Sequence, residues 1–372
     1  MRIESLSLDG FRNIAELRLD PGPGVNLLVG RNAQGKTNIV EAIGLLSTGT
    51  SFRTSEFRDM IGWDATRADV SARVAGARGE DRIRVSMEQG RKGFERNGKR
   101  ALARGPAALR CVLFAPEEIM LLRSSPAARR RYLDSFISQL AGTHRSHVSR
   151  YEKIVRQRNR ILTDVEMPRP ERERELVPWD EQLAEAGARI VEMRARWVEL
   201  LNRRLPRLYG AMAPGDGRAT LLYAPQCGEG LLEGGAPAVR AGLARQIEAR
   251  RDDEFARCTT LVGPHRDDLE ARIGSAGVKS FGSQGQHRSF VLALKLSEME
   301  MLREEAGDEP ILLLDDVASE LDRDRNRLFF DSIAANSGQA FVTATSEGDL
   351  KFASRGRARV FVVSSGEVVA RK

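Results

Sequence analysis

The 372-residue chain holds only three cysteines, Cys111, Cys227 and Cys258. They lie far apart and are odd in number. That pattern excludes a disulfide-stapled secreted scaffold and suits a reducing compartment, so the expected location is cytoplasmic. Long apolar runs are missing too: no stretch reaches the roughly 18 consecutive apolar residues of a membrane span, and no membrane partner is expected. The opening MRIESLSLDGFRNI alternates charged and apolar residues and lacks the apolar run of a signal peptide. There is no internal repeat and no sustained heptad. What is present suffices for a core, since 41% of residues are hydrophobic, and global disorder is excluded. Lys and Arg outnumber Asp and Glu by 59 to 52, a formal charge of +7, which permits a polyanionic partner without demanding one. At about 100–200 residues per domain, the length fits two domains or one large domain with an insertion.

Along the chain, Val25–Val29 is a short apolar run suited to a buried strand, followed by Gly-rich sequence and a helix over Thr37–Leu46. Residues 51–115 mix strand-like pieces (Asp69–Val74, Arg82–Met87, Val112–Phe114) with Gly turns and read as an antiparallel sheet region. The middle is helical. Tyr132, Leu133, Phe136, Ile137 and Leu140 share one face, as do Tyr151, Ile154, Val155, Ile161 and Leu162. Pro168, Pro170 and Pro178 interrupt, and a long helix through Leu183, Ile190 and Trp197 stops near Pro206. Residues 210–238 read as loop. Strands return as Ile311–Leu314, Ala340–Thr343 and Val360–Val363. The expected organisation is one α/β domain in two halves, 1–115 and 252–372, split by a mainly helical insertion over 116–251.

Gly30-Arg31-Asn32-Ala33-Gln34-Gly35-Lys36-Thr37 fits G-x-x-x-x-G-K-S/T between a strand and a helix. Glycines let backbone N–H groups turn toward phosphate oxygens, and the helix start adds positive partial charge. Lys36 would supply a point charge to the β- and γ-phosphates of ATP, and Thr37 a hydroxyl to Mg²⁺. Asp315 and Asp316 end the apolar strand Ile311–Leu314. Asp315 would hold Mg²⁺ and Asp316 would orient or deprotonate water. Ser283-Gln284-Gly285-Gln286 opens a helix and offers a second anion-binding device, though alone it is an ordinary N-cap. The order of elements, closed by Ser319-Glu320-Leu321-Asp322, is that of an ABC-type ATPase head, in which Ser283–Gln286 contacts ATP held by a second copy. Two ATP molecules would then be sandwiched in an ATP-dependent homodimer.

The sequence resembles the RecF family of SMC-like ABC ATPases over nearly its whole length. The resemblance is carried by Leu8-Asp9-Gly10-Phe11-Arg12-Asn13, Phe114-Ala115-Pro116-Glu117-Glu118, and the block Pro126, Arg129, Arg130, Tyr132, Leu133, Asp134. Gly263-Pro264-His265-Arg266-Asp267-Asp268-Leu269 and Ser283–Gln286 complete it. Ser124 departs from the family's usual Gly. The resemblance implies ATP-gated DNA binding (duplex, single-stranded or gapped), weak DNA-stimulated hydrolysis and recombinase loading at gaps with a RecR-type mediator protein. It also implies roles in replication and SOS induction, without the long coiled coil of SMC relatives. Asp316, where transporter ATPases carry Glu, and Thr345, in place of their switch His, imply slow turnover. A transporter subunit is disfavoured by Pro116-Glu117 and Thr345, and a GTPase by the lack of an N-K-x-D base reader. A DNA-binding module that uses ATP as a structural ligand stays open.

Other residues carry two readings. Arg129-Arg130-Arg131 is a phosphate-contacting cluster or a solvated helix start. Arg150, Lys153, Arg156 and Arg160 recur near helical spacing opposite an apolar face and are the better candidate DNA stripe. His144 and His147 have H-x-x-H spacing but no further ligand pattern, and read as solvated histidines. His265 and Arg266 either sense nucleotide or lock the insertion onto the head. Cys111 reads as core, Cys227 and Cys258 as inert, and Trp179 and Trp197 as packing residues.

Overall fold

A computed structural model describes residues 1–54, 56–77, 79–88, 90–100, 108–316, 338–346 and 358–371. Burial along the first strand, β1 (Arg2–Phe11), shows how its register is set. Ile3 and Leu6 stand three apart, which an unbroken strand would put on opposite faces. The register against the neighbouring strand shifts between Ile3 and Ser5, and both side chains are buried. β2 (Ile14–Leu19) and β3 (Val25–Val29) follow, then α1 (Lys36–Thr48). Next come β4 (Arg67–Gly76), β5 (Gly79–Glu88), β6 (Arg91–Arg96) and β7 (Lys99–Arg100). These strands, without β3, form an antiparallel sheet in the order β2-β1-β4-β5-β6-β7.

β8 (Cys111–Phe114) belongs elsewhere. Expected in the antiparallel region, it instead pairs parallel with a distant strand, and its Cys111 and Val112 are buried. The chain continues through α2 (Pro116–Ile119), α3 (Pro126–Leu140), α4 (Gly142–Thr163), α5 (Arg169–Asn202) and α6 (Leu205–Met212). After β9 (Ala219–Ala224), α7 (Gly235–Ala249) and α8 (Arg251–Arg257) come β10 (Asp268–Ile273), β11 (Ala276–Gly277), α9 (Val278–Phe281) and α10 (Gln284–Ala306). The last described strands are β12 (Ile311–Leu314), β13 (Ala340–Ala344), β14 (Arg359–Ser364) and β15 (Glu367–Ala370).

The second sheet has the order β15-β14-β3-β13-β12-β8 and is parallel except for β15. Its central strands are apolar on both faces, as a covered parallel sheet requires. Leu28, Ile311, Leu313 and Phe341 pack with Ile39, Ile43 and Leu46 of α1 and with the antiparallel sheet. Leu27, Val112, Leu312, Leu314 and Val342 join the other core, with Phe136 of α3 and Phe290 of α10. This is a mixed α/β ABC-type head carrying a mainly helical second lobe.

Two further expectations are corrected. Pro178 does not interrupt: it lies inside α5, exposed, and the carbonyl its ring would release belongs to exposed Arg174. The long helix does stop near Pro206, at Asn202, and Pro206 lies in the first turn of α6. Residues 210–238 are not all loop, since β9 pairs antiparallel with β10, burying Ala219, Leu221 and Tyr223 in alternation. That pairing joins chain on both sides of residue 252.

Two blocks distant in sequence meet where the insertion packs on the 264–268 segment. Arg129 pairs with Asp268 at 2.7 Å, and Arg130 donates to the Asp267 carbonyl. Arg194, 4% exposed, donates to both oxygens of Asp134 at 2.8 and 2.9 Å, and to the Pro264 carbonyl. His144 adds a 2.8 Å bond to Asp134. Burial alone would raise the Asp134 pKa, but Arg194 and His144 outweigh it and hold the carboxyl at about 2. A depressed carboxyl stabilises the fold above its unfolded value near 4 and loses that effect as pH falls toward 2. Asp134→Asn removes the two-oxygen carboxylate partner of buried Arg194 and leaves it, as an ion pair, only the 3.2 Å contact with Asp267. It should lower unfolding free energy by about 3–5 kcal/mol at pH 7 and flatten the acid limb between pH 4 and 2. Urea unfolding across that pH range reads both; a loss under about 1 kcal/mol with an unchanged limb would contradict the network's role.

Candidate nucleotide site

The loop from Gly30 to Thr37 leaves β3 and enters α1, where its geometry demands its residue types. A Cβ on Gly30 would lie 2.2 Å from the Val363 carbonyl oxygen. Gly35 has φ 114° and faces Asn13, and Ala33 also takes a left-handed φ of 65°. Lys36 Nζ donates to the carbonyls of Gly30 and Arg31 at 2.6 and 2.8 Å, folding back across the loop. Burial lowers the Lys36 pKa, while the charges of Asp315 and Asp316 pull it upward.

Asp315 follows β12 and is 4% exposed. Its N–H donates to the Phe114 carbonyl at 2.8 Å, tying it to the parallel neighbour β8. Two hydroxyls converge on its Oδ1: Thr37 at 3.1 Å and Thr343 at 2.9 Å. Burial raises the Asp315 pKa, with Glu117 and Asp316 adding to the rise against the two hydroxyl bonds. A buried carboxylate that holds protons tightly also favours a cation, and a hydroxyl-plus-carboxylate oxygen set suits Mg²⁺. Lys36, Thr37 and Asp315 therefore fit a magnesium-bound nucleoside triphosphate. Asp316 is exposed, at a left-handed φ of 50°.

Supports that the sequence reading missed surround the loop. The turn between β14 and β15 clamps Gln34: Ser365 N–H donates to Gln34 Oε1 at 2.6 Å and Gly366 N–H to its carbonyl at 2.9 Å. Arg12 grips fully buried Glu41 of α1 through Nε and Nη2, Arg53 pairs with it at 3.1 Å, and Ser51 donates to it. Asn38 donates to Asn13 at 2.7 Å. A glutamate inside the apolar run of α1 was the one local signal of this hub.

At the start of α10, Ser283 forms a capping box. Its hydroxyl accepts from the Gln286 N–H, and Gln286 Oε1 accepts from the Ser283 N–H. Ser283 and Gln284 are exposed, with Gly285 and Gln286 half-buried behind them. Ser319-Glu320-Leu321-Asp322 lies outside the described residues. Thr345 is exposed just after β13.

The remaining candidates divide clearly. Arg150, Lys153, Arg156 and Arg160 are all exposed on α4, opposite buried Tyr151, Ile154 and Leu162. Arg129 is a buried structural residue rather than a phosphate contact or a solvated helix start, because Asp268 holds it. His144 is fully buried on Asp134, not solvated. His265 Nε2 donates to the Thr260 carbonyl at 3.1 Å, which Arg266 also bonds, and its Nδ1 accepts from the Tyr151 hydroxyl of α4 at 2.6 Å, so these contacts join the 260–266 segment to α4. Burial pushes the His265 pKa down to about 4 and the Cys111 thiol up to about 12. Trp197 packs edge-on to Phe136. Among the described residues no helix is long and apolar enough to cross a membrane.

Residues 2–368 match the family described as RecF/RecN/SMC N terminal domain. The chain is 39% identical to the DNA replication and repair protein RecF of Symbiobacterium thermophilum, covering 99% of this chain and 98% of that one. It is 34% identical to the protein of the same description from Desulforamulus reducens, over 100% of both. The chain belongs to the RecF family. Two solved structures of the recombination mediator protein RecF in the RecFOR pathway, as RecF-ATPrS and RecF-ATP, superpose with TM-scores of 0.88 and 0.87. They are 31% and 32% identical, with 100% of this chain covered and 98% and 97% of theirs. An SMC head bound to the C-winged helix domain of ScpA shares the fold at TM-score 0.54 and 19% identity, over 100% of this chain and 98% of that one.

Within this RecF-family chain the turn at Gly366 offers a test. A Cβ there would lie 2.4 Å from the Asn13 carbonyl oxygen, at a φ of 83°. Gly366→Val should push the turn off Gln34 and weaken ATP-analogue binding on the order of tenfold, the equivalent of roughly 1–3 kcal/mol of backbone strain. Fluorescence titration beside a far-UV melt checks it; unchanged affinity would separate the hairpin from the loop.

Proposed function

We propose that this chain is an ATP-dependent DNA-binding protein of recombinational repair, closing as an ATP-gated homodimer on DNA. The observation that carries this reading is the convergence of Thr37 and Thr343 on buried Asp315, beside a phosphate loop built on Gly30, Gly35 and Lys36. Arg31, Asn32, Ala33 and Gln34 complete the cradle. When bound, magnesium ATP supplies a phosphoanhydride that water can cleave. Thr37 and Asp315 would hold the metal, Lys36 would leave its two carbonyls for phosphate, and exposed Asp316 would position water. The start of α10, Ser283 to Gln286, with Ser283 and Gln284 exposed, would meet the nucleotide held by a second copy.

In this reading residues 1–115 and 252–372 supply the ATPase head and 116–251 the lobe. The exposed stripe Arg150, Lys153, Arg156 and Arg160 is assigned to phosphate contacts with duplex, single-stranded or gapped DNA. Each real contact steepens the log–log salt dependence of binding by about one unit. A RecR-type mediator protein is the proposed partner in recombinase loading at gaps. Replication-fork maintenance and SOS induction in the cytoplasm complete the reading and rest on the family resemblance. Weak turnover is supported by Asp316 in place of Glu and by Thr345 after β13, and its stimulation by DNA rests on the family resemblance. The same two residues favour a second reading, in which ATP is a structural ligand without significant turnover.

Light scattering of the full chain with ATP tests the assembly. Lys36→Met should abolish ATP-induced dimers by removing nucleotide binding. Ser283→Arg should retain ATP binding and still fail to dimerise. Dimers that survive in Ser283→Arg would remove the second-copy contact from the reading.

A further inference from the structure

β13 is buried along its whole length, and its one polar side chain is Thr343, 3% exposed. A hydroxyl in such a strand is unfavourable unless it is hydrogen-bonded, so its partners explain its presence. Both are members of the acidic pair. Thr343 Oγ1 donates to Asp315 Oδ1 at 2.9 Å and accepts the Asp316 N–H at 2.9 Å. A threonine hydroxyl has one proton and two lone pairs, so it can make both bonds at once. A carbonyl or an apolar group at this position could not.

The two bonds act on different degrees of freedom. The first fixes the rotation of the Asp315 carboxylate, whose Oδ1 also takes the Thr37 hydroxyl at 3.1 Å. The second anchors the backbone of Asp316, which sits at a left-handed φ of 50° that residues other than glycine avoid. Once that N–H is anchored, the chain turns sharply after β12 and Asp316 projects to the surface while Asp315 stays buried. We propose that Thr343 is the positioning residue of this site, one hydroxyl setting both the buried metal-holding carboxylate and the exposed water-positioning one. The inference deepens the reading of Asp315 and Asp316 above and rests on it.

Thr343→Val removes the hydroxyl and keeps the branched shape, whereas Thr343→Ser keeps the hydroxyl and removes a methyl. Both would be compared with the wild-type full chain and with Asp316→Asn. Three quantities are read: the Mg²⁺ concentration at half-maximal enhancement of fluorescent ATP-analogue binding, kcat and KM with duplex DNA, and the thermal midpoint without nucleotide. Thr343→Val should bind analogue in EDTA within about twofold of wild type. Its Mg²⁺ midpoint should rise on the order of tenfold and its kcat fall by about tenfold or more, with KM changed less than about threefold. Thr343→Ser should bring both back to within about threefold of wild type. A wild-type Mg²⁺ midpoint in Thr343→Val overturns the proposal. So does an equal loss in Val and Ser variants that both melt early, which would make Thr343 a packing residue. A wild type as inert as Asp316→Asn would refute turnover in the broader reading, and the Mg²⁺ midpoint would still decide the role of Thr343.

Discussion

A buried carboxylate is the constraint on which this structure turns. Asp315 ends a strand of four buried apolar residues, and it is almost wholly removed from water. An isolated charge there would be severely destabilising, so the surroundings must supply hydrogen-bond donors and leave room for a cation. Two hydroxyl donors and one backbone anchor come from three directions. α1 brings Thr37, β13 brings Thr343, and β8 fixes the backbone through the Phe114 carbonyl. Each of those elements is placed by the parallel sheet, whose order sets β12 between β8 and β13. The apolar faces of the sheet therefore stabilise the fold and, through the same registers, aim the polar ends of its strands at one point.

The same end of the sheet connects to the lobe. α2 starts directly after β8 with two adjacent carboxylates. The charge of Glu117 adds to the rise in the Asp315 pKa, while Glu118 pairs with buried Lys295 of α10 at 2.5 Å. Glu298 and Tyr132 complete that cluster, binding α10 to α3. Burial raises the Glu298 pKa even with Lys295 beside it, the mark of a carboxyl held between opposing influences. The helix that presents Ser283 at its start is thus anchored, a few turns on, to the element that borders Asp315. Ionic pairing of Arg129 and Arg194 with the 264–268 segment then seats the lobe.

How much of this the sequence disclosed depended on whether a signal was local. The phosphate loop was legible because its glycines, Lys36 and Thr37 are contiguous and flanked by recognisable elements. The acidic strand end was legible for the same reason. Ser283 was legible as a cap from its place at a helix start beside Gly285. By contrast, nothing in Gln34 announces the turn at Ser365 and Gly366, more than 300 positions away. Thr343 looked like one more residue of a β-branched strand, and only the pairing of β13 with β12 puts its hydroxyl on the acidic pair. β9 was hidden by the Gly, Pro and Ala around it, because its strand signal is an alternation of six residues confirmed only by β10. Arg129 and His144 looked solvated because their carboxylate partners come from other turns and other segments. Pro178 misled because a proline rule for helix interiors weakens where the released carbonyl faces water.

The most direct measurement is thermal unfolding of the full chain with ATP, in Mg²⁺ and in EDTA. A site in which a buried carboxylate awaits a metal-bearing nucleotide requires strong stabilisation with Mg²⁺ and ATP together. That amounts to about 2.7 kcal/mol at a hundredfold excess over Kd, and much less should appear with either alone. Equal stabilisation by ATP in Mg²⁺ and in EDTA would contradict it.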